Sequence, residues 1–271
     1  MRVTVIGCGS IGRRHIKNLL ALGCDVGAWD LCPEALQAAL SLDARLHAAR
    51  PGAPCEAVVI ATPWDQHLRD VEWAVSSRTP FFIEKPLGSL SQLPRWRVLA
   101  ASPDLPVHQV GYQLRFHADA QKLHAVTAQS RWIYCAVACD MRQWPGRFYG
   151  PPILECSHEI DLALWWGALS TVTHVIATAH AATIYLGTIG LVTMDWRTPH
   201  YRREWSVATD EANYRWDCNE PEALDELMYI DELAHFLESI RTQTPTRCTL
   251  GDGVRVLEVC AQVEAMTAVR A

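Results

Sequence analysis

Arg2-Val3-Thr4-Val5-Ile6-Gly7-Cys8-Gly9-Ser10-Ile11-Gly12, followed closely by Asp25-Val26-Gly27-Ala28-Trp29-Asp30, decides how the chain folds. The first five of these residues read as a short buried strand. The glycine-rich turn then leads into a helix over about 13–22, Gly23 stops that helix, and residues 25–29 make a second strand ending on Asp30. Each glycine has a reason. Gly7 permits the tight turn, Gly9 lets the backbone approach a pyrophosphate, and Gly12 lets helix and strand pack closely. Phosphate oxygens would meet the free N–H groups of Ser10 and Ile11, where the helix dipole favours negative charge. Asp30 stands about 20 residues into the unit, placed to accept the ribose hydroxyls. The reading is a dinucleotide site for NAD. NADP is disfavoured because Asp30 would repel a 2′-phosphate, although Arg13 and Arg14 on the helix could answer such a group.

Outward from this element the alternation continues. Residues 33–42 are helical by composition, and 57–61 form a continuous apolar run, as a parallel strand buried on both faces does. Thr62-Pro63, a helix over 65–76, a strand at 81–83, Glu84-Lys85-Pro86, a further helix and a strand over 106–112 follow. This predicts a doubly wound parallel sheet, an α/β Rossmann domain over residues 1–114. The texture changes within 113–118. Residues 130–140 and 173–209 alternate and are rich in β-branched and aromatic side chains, which predicts an open, mostly antiparallel sheet in an α+β domain over 115–271. Within it, 227–241 is an amphipathic helix with Ile230, Leu233, Phe236, Leu237 and Ile240 on one face. Asp252 can cap a last helix striped by Val254, Leu257 and Ala261.

Composition narrows the function classes. A chain of 271 residues with 24 basic side chains and a net charge of −6 carries no basic run, so no nucleic-acid partner is expected. With a strand expected from residue 2, no signal peptide is expected. The apolar stretch 160–194 is broken by Asp161, His174 and His180, so no membrane partner is expected and a cytoplasmic protein is. The ten cysteines form no Cys-x-x-Cys pair and read as reduced core residues, Cys135 and Cys139 included, with no metal site.

Two further clusters can carry chemistry. Lys85, at a strand's carboxyl end and fixed by Pro86, can reach a nicotinamide edge and hold or donate a proton at a substrate oxygen. The bland alternative is a surface lysine beside a turn proline. In Glu155-Cys156-Ser157-His158-Glu159-Ile160-Asp161, His158 and Asp161 share a helix face, where the carboxylate can orient the imidazole for acid–base work. The bland alternative there is a helical polar pair.

Taken in order, the landmarks resemble the Gfo/Idh/MocA family of NAD(P)-dependent oxidoreductases over nearly the whole chain. They are the glycine turn with His15, Thr62-Pro63 with His67, Glu84-Lys85-Pro86, Gly111-Tyr112-Gln113 with Arg115, and His158-x-x-Asp161. The resemblance implies that Thr62, Pro63, His67, Glu84, Lys85 and Gln113 join Gly7, Gly9, Ser10, Ile11, Gly12 and Asp30 in holding the cofactor. It implies that Lys85, Tyr112, Arg115, Trp144, Arg147 and His158 face the substrate, with Lys85, His158, Asp161 and Glu155 catalytic. Arg142 and Tyr149 flank the same segment. A sugar-like alcohol or ketone, such as a nucleotide sugar, is the implied substrate, and the second sheet's open face the implied homo-oligomer contact. Two features depart from the family. Leu154 stands where many members have an aspartate, with Glu155 beside it as a substitute. The chain is also short between Met194 and Leu227, so missing edge strands are expected. A sensor without turnover and a lyase or glycosidase-like enzyme recycling bound NAD are the competing readings.

Overall fold

The computed structural model describes residues 1–43, 47–48, 55–140, 142, 152–219 and 226–268. They fall into two units, Met1–Gln113 with Glu226–Val254, and Leu114–Asp225 with Arg255–Ala271.

In the first unit β1 (Arg2–Ile6), α1 (Ser10–Ala21), β2 (Asp25–Trp29), α2 (Pro33–Leu40), β3 (His47–Ala48), β4 (Ala57–Ile60), α3 (His67–Ser76), β5 (Phe81–Glu84), α4 (Leu93–Ala100) and β6 (His108–Gly111) alternate along the chain. The strands form one parallel sheet in the order β3-β2-β1-β4-β5-β6. The order reverses between β1 and β4, which run in register from Val3 opposite Ala57 to Ile6 opposite Ile60. A ligand crevice of a doubly wound sheet lies beyond the strand ends at this switch point. Every residue of β4 and every apolar residue of β5 is fully buried, which is why these segments read as unbroken apolar runs. The helix after the glycine turn starts at Ser10, three residues earlier than the sequence suggests. Ser10, Ile11 and Gly12 therefore form its first turn, where N–H groups have no intrahelical acceptor.

The second unit contains α5 (Ala118–Ala125), β7 (Trp132–Asp140), α6 (Pro152–Glu155), α7 (Ser157–Trp165), β8 (Val172–Ala177), β9 (Ala181–Leu186), β10 (Gly190–Asp195), β11 (Arg197–Ala208) and β12 (Asn213–Cys218). Its sheet runs β12-β11-β7-β10-β9-β8 and is antiparallel except where β7 and β10 run parallel. Along β7 and β9 buried residues alternate with partly exposed ones, so one face carries the core and the other is open. β12 lies in the short interval and pairs with β11 from Arg203 opposite Cys218 to Ala208 opposite Asn213.

After β12 the chain returns to the first unit through α8 (Leu227–Thr242), and α9 (Leu250–Ala268) begins there. This differs from the expected division, which left all of 115–271 together. The reason is the apolar face of α8. Leu233, Phe236 and Leu237 are buried in one cluster with Ile16 and Leu19 of α1 and Phe82 of β5. Each such side chain contributes about 1.5–3 kcal/mol on burial. Asp252, within the first turn of α9, accepts hydrogen bonds from the backbone N–H and hydroxyl of Thr249. Among the described residues no helix is long and apolar enough to cross a membrane.

Candidate active site

The three glycines of the turn differ in what surrounds them. Gly7 has φ +94°, and a Cβ there would lie 2.5 Å from the Ala61 carbonyl oxygen. A Cβ on Gly12 would lie 1.9 Å from the Gly7 carbonyl oxygen. Gly9 is the opposite case, with nothing within 4 Å of the Cβ position. It caps α1, and the space beside it is where a side chain would stand between solvent and the helix's first N–H groups. The Cys8 thiol between them is buried, and burial together with Asp30 pushes its pKa up to about 11, so it is not a thiolate nucleophile.

Asp30 is tied to this turn. One carboxylate oxygen accepts the Cys8 N–H at 2.6 Å and the other the Cys32 N–H at 2.8 Å. Each oxygen keeps a second lone pair for a ribose hydroxyl. Arg13 donates to the Cys8 carbonyl at 3.0 Å, while Arg14 pairs with Glu226 at 3.3 Å and lies over the Tyr229 ring. Beside Asp30 a cavity of about 330 Å³ is lined by Ile6, Trp29, Leu31, Arg69, Asp70 and Trp73. Its size and aromatic walls suit a flat purine-like ring.

The next two turns are held from beneath. Thr62 donates its hydroxyl to Asp70 at 2.8 Å. His67, expected to touch cofactor, is buried, and its ring nitrogens lie 2.8 Å from the Thr62 carbonyl and 3.1 Å from the Pro86 carbonyl. It lies between the two turns. Burial pushes its pKa below the usual histidine value. The Lys85–Pro86 peptide is cis, Lys85 is half-buried, and its N–H donates to the Glu84 carboxylate at 3.1 Å. Gln113, another expected cofactor residue, donates to the Tyr229 hydroxyl at 2.9 Å, and burial raises that phenol's pKa. Tyr112, expected at the substrate, is only 1% exposed.

In the second unit α7 presents Ser157, His158, Glu159 and Asp161, all buried. Asp161 is gripped at both oxygens by Arg115, at 2.9 Å from Nε and 2.6 Å from Nη2. Glu159 forms an ion pair with Arg203 of β11 at 2.6 Å. Arg115, expected at the substrate, thus directs its guanidinium fork at Asp161, the residue expected to orient His158. Arg142, which flanks the expected substrate segment, grips Asp140 at 2.7 and 2.6 Å. Leu154 is buried and Glu155 half-buried at the end of α6. Trp144, Arg147 and Tyr149 lie outside the described residues.

No family model matches the chain. Inositol 2-dehydrogenase 2 of Saccharopolyspora erythraea is 30% identical over 199 residues, which cover 66% of this chain and 57% of that protein. The match thus spans little more than half the relative's length. Among solved structures, scyllo-inositol dehydrogenase of Lactobacillus casei with bound NAD(H) and scyllo-inositol superposes with a TM-score of 0.80 at 18% identity, covering 97% of this chain and 95% of that one. UDP-N-acetylglucosamine 3-dehydrogenase of Acidithiobacillus ferrooxidans gives 0.77 at 23% identity, covering 98% and 97%. The chain has the fold of these dehydrogenases.

Several residues beside the glycine turn carry no sign of that placement in the sequence. Tyr229 and Glu226 come from α8 and its start, more than 200 positions after the Asn18 side chain, which donates to Glu226 at 3.0 Å. The only signal for them was the amphipathic pattern of 227–241, which marks a core face and says nothing of the polar one. Trp73 and Leu31 at the cavity likewise read as ordinary helix and loop positions.

Proposed function

We propose that the chain is an NAD-dependent oxidoreductase of the Gfo/Idh/MocA family, acting on a CH–OH group of a cyclitol or sugar-like substrate. The observation that carries the reading is the open Gly9 cradle at the start of α1 combined with Asp30 at the end of β2. The likeness to inositol dehydrogenases supports the substrate class. The residues present fit the dinucleotide. The first turn of α1 would take the pyrophosphate, Asp30 the ribose, and the cavity between Leu31 and Trp73 the adenine. When bound, the nicotinamide supplies the hydride donor or acceptor.

The chain's own part is positioning and proton handling. Lys85 donates a hydrogen bond to the reacting oxygen or takes its proton. His158 serves as proton partner, with Glu155 in place of the aspartate absent at Leu154. Asp161 acts on α7 through Arg115. Lys85→Met keeps most of the stem and removes the donors. With cyclitols, free sugars and nucleotide sugars assayed at 340 nm, the wild type should reduce or oxidise the nicotinamide with at least one class, and Lys85→Met should turn over at least ~100-fold more slowly with little change in cofactor affinity. Near-native turnover by Lys85→Met would make the lysine structural. No absorbance change with any substrate would remove the oxidoreductase reading.

The open face of the second sheet supports a homo-oligomer. Tyr134, Ala136, Ala138, Thr183 and Thr193 line a shallow cavity of about 230 Å³ there. Small side chains let a second sheet face approach closely. Sedimentation velocity should show a species larger than the monomer, and Ala136→Arg should dissociate it; a wild-type monomer at micromolar concentration contradicts the assignment.

A further inference from the structure

His15 is buried on α1, and its Nε2 lies 2.7 Å from Oε1 of Glu84, which is also buried. The other Glu84 oxygen accepts the Lys85 backbone N–H at 3.1 Å. One carboxylate therefore joins two segments 69 positions apart, the helix that begins at the phosphate turn and the strand end that carries Lys85. Space is cleared for it on the neighbouring strand. Glu84 pairs with Gly111 of β6, where a Cβ would lie 3.3 Å from the Glu84 Cδ and 3.1 Å from the Phe82 ring.

Packing alone gives a poor reason for this arrangement. The His15 ring meets Phe82 edge-on at 5.1 Å, contact that a phenylalanine would make as well. A neutral imidazole that donates from Nε2 has a bare acceptor at Nδ1, and Nδ1 is buried with no hydrogen-bond partner among the described residues. An unsatisfied buried atom and a buried carboxylate are both unfavourable in a core. They make sense where the hydrogen bond itself is what the site needs.

We infer that His15 is a positioning residue, which through Glu84 sets the backbone of Lys85 in register with the helix that receives the cofactor's phosphates. The inference rests on the dehydrogenase reading above and adds to it a mechanical link between the cofactor's anchored end and its reacting end. The link is a single hydrogen bond across the unit. Displacement of a reacting group by about 1 Å costs on the order of 100-fold in rate.

Two substitutions separate this from a structural role, because they preserve opposite halves of the residue. His15→Phe keeps the ring against Phe82 and removes the donor. His15→Gln keeps a donor at about the reach of Nε2 and removes the ring. A structural role ranks the variants by packing, so Phe would match or exceed Gln in both Tm and kcat. Positioning predicts the two orders to cross. His15→Phe should be at least as stable, yet its kcat should fall by ~10–100-fold with the KM for NAD nearly unchanged, while His15→Gln should turn over at least ~10-fold faster than His15→Phe. Gly111→Ala, which crowds Glu84 from β6 and leaves His15 in place, should also lower kcat more than it raises KM. If kcat follows Tm in the histidine pair, or both variants match wild type, the inference is overturned. A readout without substrate keeps it separate from the parent reading. Acetic anhydride labelling of Lys85, followed by mass spectrometry, should be slowed by NADH in wild type and His15→Gln and not in His15→Phe, at equal NADH occupancy. Equal protection in all three contradicts the link even where no substrate is turned over.

Discussion

Each unit buries a set of polar side chains, and the two sets are satisfied in different ways. In the first unit the residues at the turns spend part of their hydrogen bonding on backbone. Half-buried Asp30 takes two N–H groups, buried His67 stands between two carbonyls with one ring N–H to give, and Glu84 takes the Lys85 N–H together with His15. In the second unit charge meets charge, Asp161 with Arg115 and Glu159 with Arg203, both pairs almost fully buried. The first arrangement fixes the shape of turns. The second fastens one helix, α7, to its surroundings. Losing a member of the first set should therefore loosen a turn and disturb binding or turnover, whereas losing a member of the second leaves an uncompensated charge in the core.

The largest effect is expected in the second unit. Asp161→Ala strands the Arg115 guanidinium, which is 2% exposed, and should cost about 3–5 kcal/mol in urea unfolding. Replacing both partners, with Arg115→Met and Asp161→Leu together, should recover most of that loss, since well-packed apolar side chains can stand in for a buried pair. A cost below about 1 kcal/mol for the single variant would erase the contrast between the units.

A smaller effect is expected from pH, and it belongs to the first unit. Burial depresses the pKa of His67 and His108, and burial with Arg247 that of His235. Each binds its proton more weakly folded than unfolded. As pH falls through the unfolded value of about 6.5, the unfolded state takes up more protons, so stability present above that pH is lost on acidification toward the folded values. Tm should fall between about pH 7.5 and 5.5, and His67→Gln should flatten the dependence. A Tm that rises on acidification, or a slope untouched by His67→Gln, would contradict the assignment.

How much of this was legible depends on how far apart the partners stand. The glycine turn is legible because Gly12 packs on Gly7 and Asp30 bonds Cys8 within one strand–helix–strand unit. The parallel sheet was legible because β4 and β5 are buried on both faces and write that into unbroken apolar runs. Arg115 and Asp161 stand 46 positions apart, and nothing local distinguishes an arginine aimed at substrate from one aimed at a carboxylate. The return of α8 to the first unit was hidden for the same reason. Its stripe of Leu233, Phe236 and Leu237 announces a buried face without naming the partner. The parallel pairing of β7 with β10 depends on chain routing, which alternation does not encode. The sequence shows a histidine after Thr62-Pro63 but not that its ring stands between two backbone carbonyls.

Gly9 offers the most direct test of the central claim, that the turn at the start of α1 is a working NAD site. Its Cβ position is open and its φ of −65° is ordinary for alanine, so Gly9→Ala should leave Tm unchanged or slightly raised. Calorimetric titration should show the wild type binding NADH more tightly than NADPH, because Asp30 opposes a 2′-phosphate. It should show Gly9→Ala, equally stable, with binding of either nucleotide lost. Undiminished NADH binding by Gly9→Ala, or NADPH bound as tightly as NADH by the wild type, would contradict the account.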